Sequence, residues 1–325
     1  MKCLGCLKQS TTRYCTSCKK KLFGKNRVKP TLDFDKQEYI SAKTNLADSL
    51  SISGVQDKIL LKIDNGKLVP SFSNTAYILK PVPNLDFVKM VDDIVPNEHI
   101  TMLIASKIYK LECASCALIE FSNHELALLV KRFDRVKNQK IKVEDFASIA
   151  NKNEAKDGKN YKYDYSYEKM ADLIQRYIPA FKIELIKFFK LVLFNYLVGN
   201  GDAHLKNFSI IQTSMKDYKL SPAYDLLATS IHLPNESRTA LELFEEYESE
   251  AFRANGFYSQ QDFLEFGKLI GIDASLTNAI IKDFLSKKDD TLTLIEHSFL
   301  SPDAKVAYKK LYLDRLRAVG YLYSD

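Results

Sequence analysis

The apolar pattern of this chain changes period near residue 140, and that change restricts the fold more than any other feature. Over residues 49–135 the apolar residues come in short runs bounded by turn formers. Ile59-Leu60-Leu61-Lys62-Ile63, Asp64-Asn65-Gly66 and Lys67-Leu68-Val69 read as a hairpin, because Asn-Gly accepts the left-handed backbone of a tight turn. Tyr77-Ile78-Leu79-Lys80 reads as a strand stopped by Pro81. Residues 97–110 carry Ile100, Leu103, Ile104 and Ile108 at helical spacing, with Asn97 as the expected cap. Strands over 117–121 and 126–131 follow. Beyond residue 140 helical periods dominate, at 167–177, 182–198, 260–270, 278–286 and 303–319. A hairpin-like stretch, 208–220, interrupts them. A small β-rich lobe followed by a larger helical lobe, an α+β arrangement, is the expected outline.

Composition narrows the class. The chain has 325 residues, 46% hydrophobic and 27% charged, which fits a folded protein of about two domains and excludes wholesale disorder and fibrous repeats. A net charge of +6 allows an anionic partner without requiring one. The densest apolar stretch, 188–198, is broken by Lys190 and Asn195. A spanning helix needs about 20 nearly uncharged residues, so no membrane segment is expected. Met1-Lys2-Cys3-Leu4-Gly5-Cys6 has no apolar h-region, so a cytoplasmic location is expected.

Six cysteines form three C-x-x-C pairs. Cys3, Cys6, Cys15 and Cys18 make C-x2-C-x8-C-x2-C, and four thiolates at one tetrahedral centre are what structural zinc prefers. Few large apolar residues lie nearby, so this module is expected to need its metal to fold. Cys113 and Cys116 have no further pair and read as ordinary half-buried thiols. Lys19-Lys20-Lys21 through Pro30 is basic and reads as a linker. The expected divisions are a zinc module at 1–22, a linker at 23–48, a β-rich lobe at 49–138 and a helical lobe at 139–325.

The chemistry is concentrated in Gly199-Asn200-Gly201-Asp202-Ala203-His204-Leu205-Lys206-Asn207-Phe208-Ser209. Asp202 and Asn207 have the D-x4-N spacing of a phosphoryl-transfer loop, in which the Asp takes the proton of an attacking hydroxyl and the Asn holds magnesium. Asp225 follows in Pro222-Ala223-Tyr224-Asp225-Leu226 as a second hard oxygen ligand. The same residues could equally cap a helix and end a turn. Lys80 ends a strand and Glu98 lies on the next helix, the pair such a site uses to hold phosphates, although most Lys–Glu pairs are surface ion pairs. In 49–58, Ser49-Leu50-Ser51-Ile52-Ser53-Gly54-Val55-Gln56-Asp57-Lys58, backbone N–H groups could cradle phosphate with Lys58 adding charge.

Together, Ser51-Ile52-Ser53-Gly54-Val55-Gln56-Asp57-Lys58, Ile78-Leu79-Lys80-Pro81, Asn97-Glu98, Val130-Lys131-Arg132-Phe133-Asp134-Arg135, Gly201 to Ser209 and Tyr224-Asp225-Leu226 resemble the HipA family of bacterial serine/threonine kinases, the toxins of toxin–antitoxin pairs. The resemblance implies a bilobal protein-kinase-like fold that uses ATP and Mg2+. It implies Asp202 as base, Asn207 and Asp225 as magnesium ligands and Lys80 on the phosphates. Val55, Gln56, Asp57 and Lys58 would cover the phosphates, and Lys131 to Phe133 would form the hinge beside adenine. His204 and Lys206 would belong to the catalytic loop, with His204 supporting. A serine before the glycine, Ser51 or Ser53, would be autophosphorylated, and the Ser-x-Ser-Gly form is similar to the short HipT branch. An aminoacyl-tRNA synthetase would be the protein substrate. A HipB-like helix-turn-helix antitoxin and a small HipS-like protein would be partners, with DNA met only through the antitoxin. Full-length members carry a β-rich subdomain before this loop, where this chain has its cysteine module, and Lys131 stands where the family has an acidic hinge residue. Two other readings remain open: a small-molecule phosphotransferase of related fold, and a non-catalytic zinc module that binds nucleic acid or protein.

Overall fold

The computed structural model describes residues 1–40, 58–136 and 139–321. Met1 to Cys15 form a compact knuckle, closed by a bridge between Lys2 and Gln9 and by Leu7 in the left-handed region at φ 68°. Helix α1, Thr16–Phe23, begins just after Cys15. Lys19, Lys20 and Lys21, expected to open a linker, lie inside this helix, and Leu22 and Phe23 are buried. Lysines in a last turn complement the helix dipole, and Phe23 packs against Tyr14 and Tyr77 at 5.9 and 5.8 Å. Further along, Leu32 and Tyr39 are also buried.

The first lobe is built on a five-stranded antiparallel sheet of β1 Ile59–Asp64, β2 Lys67–Pro70, β3 Tyr77–Pro81, β4 Cys116–Glu120 and β5 Leu126–Lys131, in the order β2-β1-β3-β5-β4. Asn65 and Gly66 both have positive φ, 47° and 77°, so the β1–β2 turn follows the twist of its strands. Strand β3 runs on through Pro81, opposite Ala127, because a proline can end a ladder that an interior position would lose.

Helix α2, Ile94–Leu103, lies on β4 and β5. It starts three residues before the expected cap. Pro96 falls in its first turn, where the missing N–H would have had no intrahelical partner. Asn97 is therefore not a cap; it is fully buried inside the helix. The helix continues as a wider π turn, Ile104–Ile108, in which the Tyr109 N–H reaches the Ile104 carbonyl.

Two two-residue strands, β6 Arg135–Val136 and β7 Gln139–Lys140, pair after the first lobe. Strand β8, Val143–Asp145, joins β9 Ser209–Gln212 and β10 Tyr218–Leu220 in a small sheet ordered β10-β9-β8. The larger helices of the second lobe are α3 Tyr167–Tyr177, α4 Phe181–Val198, α5 Glu250–Asn255, α6 Gln260–Leu269, α7 Ala274–Ser286, α8 Lys288–Glu296 and α9 Pro302–Val319. Helix α4 is mostly apolar and is buried continuously from Val192 to Val198, as a central helix should be. Its Phe188 and Phe189 meet Tyr167, Phe208, Phe263 and Phe266. It stops at Gly199, which has φ 67°, and a Cβ there would lie 2.6 Å from Leu311. The left-handed backbone favours glycine at this point, and the polar loop at 200–208 begins directly after it. No helix of the described residues is long and apolar enough to cross a membrane.

Candidate active site

Strand β3 carries Lys80 between β1 and β5. Its side chain is only 6% exposed and meets the equally buried Glu98 of α2, with Nζ to Oε1 at 2.5 Å. The same ammonium contacts Asp225 Oδ1, and Lys58 approaches Asp225 Oδ2 at 3.7 Å. Burial works against the Lys80 charge, but Asp225 and Glu98 outweigh it and raise its proton affinity. Burial likewise disfavours the Asp225 carboxylate, yet Lys80 and Lys58 bring it down to about 2. Asp225 is thus an ionised oxygen donor held among cations.

Asp225 has φ 54°, a left-handed conformation that aspartate tolerates better than bulkier residues. Its neighbours hold it there. The half-buried Tyr224 hydroxyl donates to the Lys206 carbonyl at 2.9 Å and accepts from Ser209 at 2.5 Å. Phe133 lies against the Tyr224 ring at 5.7 Å. On the other side Asn97 binds the backbone of Ala228 twice, donating to its carbonyl and accepting its N–H, both at 3.1 Å. It also donates to His232 Nε2 at 2.8 Å, while His232 Nδ1 donates to the Lys89 carbonyl. The helix that bears Glu98 is thereby tied to the segment that bears Asp225.

The polar loop lies beside this group. Asp202 is 45% exposed on its side chain. The Asn207 amide donates to the Asp202 carbonyl at 2.6 Å, which closes the loop and leaves the amide oxygen as a ligand atom. The Lys206 N–H donates to His204 Nδ1 at 3.2 Å, and His204 Nε2 lies 3.6 Å from Asp202 Oδ1. Burial pushes this imidazole down to about 4, against the pull of Asp202, so it is neutral near pH 7. The Gly201 N–H donates to Thr229 Oγ1 at 2.8 Å, and Thr229 donates to Glu236 at 2.5 Å. A Cβ on Gly201 would fall 2.4 Å from Glu236.

Lys80, Lys58 and Asp225 therefore come together, and Asp202, His204, Lys206 and Asn207 share one closed loop that Tyr224 ties to Asp225. Phe133 joins them through Tyr224. Lys131 does not: its ammonium points to the Lys21 carbonyl at 3.3 Å. Ser51, Ser53, Val55, Gln56 and Asp57 lie outside the described residues. Tyr163 escaped the sequence reading. Its hydroxyl donates to Asp202 Oδ1 at 2.5 Å, and its ring meets His204 edge-on at 5.1 Å. Only the tyrosine-rich run Tyr161-Lys162-Tyr163-Asp164-Tyr165 could have drawn attention to it.

A second cluster lies in the knuckle. The Sγ atoms of Cys3, Cys6, Cys15 and Cys18 all lie within 4.8 Å of one another, and Cys6 and Cys15 are 3.7 Å apart. Four thiolates about 2.3 Å from a tetrahedral zinc would be separated by about 3.8 Å, so the donor set fits that ion. The Cys15 N–H donates to Cys3 Sγ at 3.2 Å. Cys113 and Cys116 stand apart as free, half-buried thiols.

The fold is similar to that of HipA from Shewanella oneidensis in its complex with HipB and operator DNA, with a TM-score of 0.63 and 23% identity over 91% of this chain and 74% of that one. It is also similar to the Helicobacter pylori proinflammatory kinase CtkA, with a TM-score of 0.53 and 16% identity over 84% of this chain and 92% of that one. In sequence, a Haemophilus influenzae protein named "Putative kinase" is 31% identical over 90% of this chain and 88% of its own length. The serine/threonine-protein kinase toxin HipA of Shewanella oneidensis is 28% identical over 63% of this chain and 49% of its length, so the match spans about half of that relative. The profile of the HipA-like C-terminal domain matches residues 50–292. The matched region holds every part of the cluster at Lys80, Asp202 and Asp225, and the chain belongs to the HipA-like C-terminal domain family.

Proposed function

We propose that this chain is an ATP- and magnesium-dependent serine/threonine protein kinase and the toxin of a toxin–antitoxin pair. The observation that carries the reading is the Lys80–Glu98–Asp225 cluster, joined to the Asp202–Asn207 loop through Tyr224. Lys80, oriented by Glu98, binds the α- and β-phosphates, and Lys58 with the backbone of Val55, Gln56 and Asp57 covers them. Phe133 and the backbone from Lys131 form the adenine side. Asn207 and Asp225 hold magnesium, which when bound neutralises phosphate charge. Asp202 accepts the proton of the substrate hydroxyl as it attacks the γ-phosphorus, and the phosphorus–oxygen bond to the leaving ADP breaks. His204, neutral near pH 7, and Lys206 keep the loop in shape. Ser51 or Ser53 is the autophosphorylated residue, and a phosphate there, carrying about −1.5 to −2 charge, would repel nucleotide from the same site.

The protein substrate is an aminoacyl-tRNA synthetase, and the partners are a HipB-like antitoxin and a small HipS-like protein. The HipA likeness supports an antitoxin partner, since that relative is seen with HipB and operator DNA. Cys3, Cys6, Cys15 and Cys18 hold one structural zinc.

The test is phosphate transfer from labelled ATP, with peptide mass analysis. Wild type should gain one phosphate on the 49–58 peptide, and Asp202→Asn should lose activity by about 10²–10⁴-fold with an unchanged circular dichroism spectrum. Full transfer by Asp202→Asn would defeat the assignment. Transfer to a small molecule with no gain on that peptide would favour the small-molecule phosphotransferase.

A further inference from the structure

The knuckle is fastened to three places. Along β4, the Leu118 N–H donates to the Leu4 carbonyl at 3.0 Å, the Tyr14 hydroxyl donates to the Leu118 carbonyl at 2.7 Å, and Arg13 pairs with Glu120. On the second lobe, Lys2 Nζ donates to the His297 carbonyl at 3.1 Å and stands 5.6 Å from the Phe299 ring centre. On the helix that bears Glu98, Lys107 of the π turn donates to the Cys6 carbonyl at 2.7 Å. His99, one residue after Glu98, is 1% exposed, and neither of its ring nitrogens has a hydrogen-bond partner among the described residues.

Two of these anchors, the Leu4 and Cys6 carbonyls, belong to the first C-x-x-C loop. Few apolar side chains order that loop: up to Cys15, Leu4, Leu7 and Tyr14 are its large buried ones. Its shape therefore rests on the ring of four thiols. The join to the helix is not filled. A cavity of about 230 Å³ lies between knuckle, helix and sheet, bordered by Cys18, Lys21, Met102, Lys107 and Cys116. At this open join Lys107 hooks the helix end to the Cys6 carbonyl, beside the apolar core that knuckle and helix share.

We infer that the metal-loaded knuckle is a brace for α2 and its π turn, holding Glu98 on Lys80 and coupling metal occupancy to the order of the nucleotide site. This rests on the zinc and kinase readings above. Four thiolates supply the ligand class, a borderline-soft divalent cation such as Zn2+.

The test uses the full chain and needs no ATP. A chelator that strips zinc without modifying thiols, such as 1,10-phenanthroline, should release one zinc per chain, read by metal analysis. Amide hydrogen exchange over 94–108 should then rise about tenfold, while the remote 260–286 stays protected. Cys15→Ser should behave like the stripped protein. Lys107→Met leaves all four thiols in place, so it should keep its zinc and still speed exchange over 94–108 several-fold. Absence of zinc from wild type overturns the inference, as does exchange over 94–108 that is the same with and without zinc. If zinc loss loosens the whole chain alike, Lys107→Met decides, and unchanged exchange in it overturns the brace. Intact exchange behaviour in a chain that transfers no phosphate would count against the kinase reading alone.

Discussion

Lys80 must satisfy two carboxylates with one ammonium, and it does so almost out of contact with water. Removing the ammonium would leave Glu98 and Asp225 facing each other in a low-dielectric site. Lys80→Met is therefore expected to lower stability by about 3–5 kcal/mol as well as to abolish nucleotide use, measured by urea unfolding. Asn97 is a quieter case. Its Ala228 bonds span 131 residues, so Asn97→Ala strands a buried N–H and carbonyl and should cost about 1–3 kcal/mol. The same distance explains why the sequence reading took Asn97 for a cap: local spacing carries no information about a partner in the other lobe. Tyr163, 39 residues from Asp202, was invisible for the same reason. The Lys80–Glu98 pair was legible because strand and helix follow each other directly.

His204 adds a pH dependence. Its folded proton affinity is lowered to about 4, whereas an unfolded histidine titrates near about 6.5. Between those values the unfolded chain binds the proton that the folded chain refuses, so stability falls as pH drops from about 6.5 to about 4. His99, lowered to about 3 by burial, and His232, lowered by burial, act in the same direction. His204→Gln should flatten the slope by about 1.4 kcal/mol per pH unit, read from denaturant midpoints across that window.

Among the elements, helices were legible where an apolar stripe repeated without interruption. The α3 bounds coincide with the reading, and those of α4, α6 and α9 differ by one residue at an end. Helix α8 was missed because Ser286-Lys287-Lys288-Asp289-Asp290 reads as a polar break, although the chain only turns there before resuming helix. Helix α7 begins four residues before the expected start, at Ala274, where Asp273 accepts from the Ser275 and Leu276 N–H groups. Helix α4 is the element on which the others depend. Phe188 is fully buried among aromatic rings, and Phe188→Ala should cost about 3–5 kcal/mol, checked by thermal unfolding.

At the scale of the whole molecule, two lobes meet at a line of charge. The lysines that crowd Asp225 suit a site that takes up a polyanion with its counter-ion. An ATP analogue with magnesium should raise the unfolding temperature, because a ligand that binds only the folded state stabilises by about 2.7 kcal/mol at a hundred times its dissociation constant. Asp225→Asn should remove most of that shift, and thermal scans with and without ligand would show it. The bilobal plan was legible from the change of period alone. The docking of the knuckle was not, because polar hooks and backbone carbonyls leave no pattern in side-chain type.

The knuckle also has a bearing on solubility. Strand β4 ends the five-stranded sheet, and its Ala117, Leu118 and Ile119 have no exposed surface. Leu4 and Leu32 cover its outer margin, with the Leu118 N–H on Leu4 and the Leu32 N–H on the Glu120 carbonyl. Peeled of the first of these, the margin exposes the Leu118 N–H and carbonyl beside an apolar strand, an open edge on which a second molecule can pair. Stripped protein should therefore clump on storage, visibly so in light scattering, long before its lobes melt.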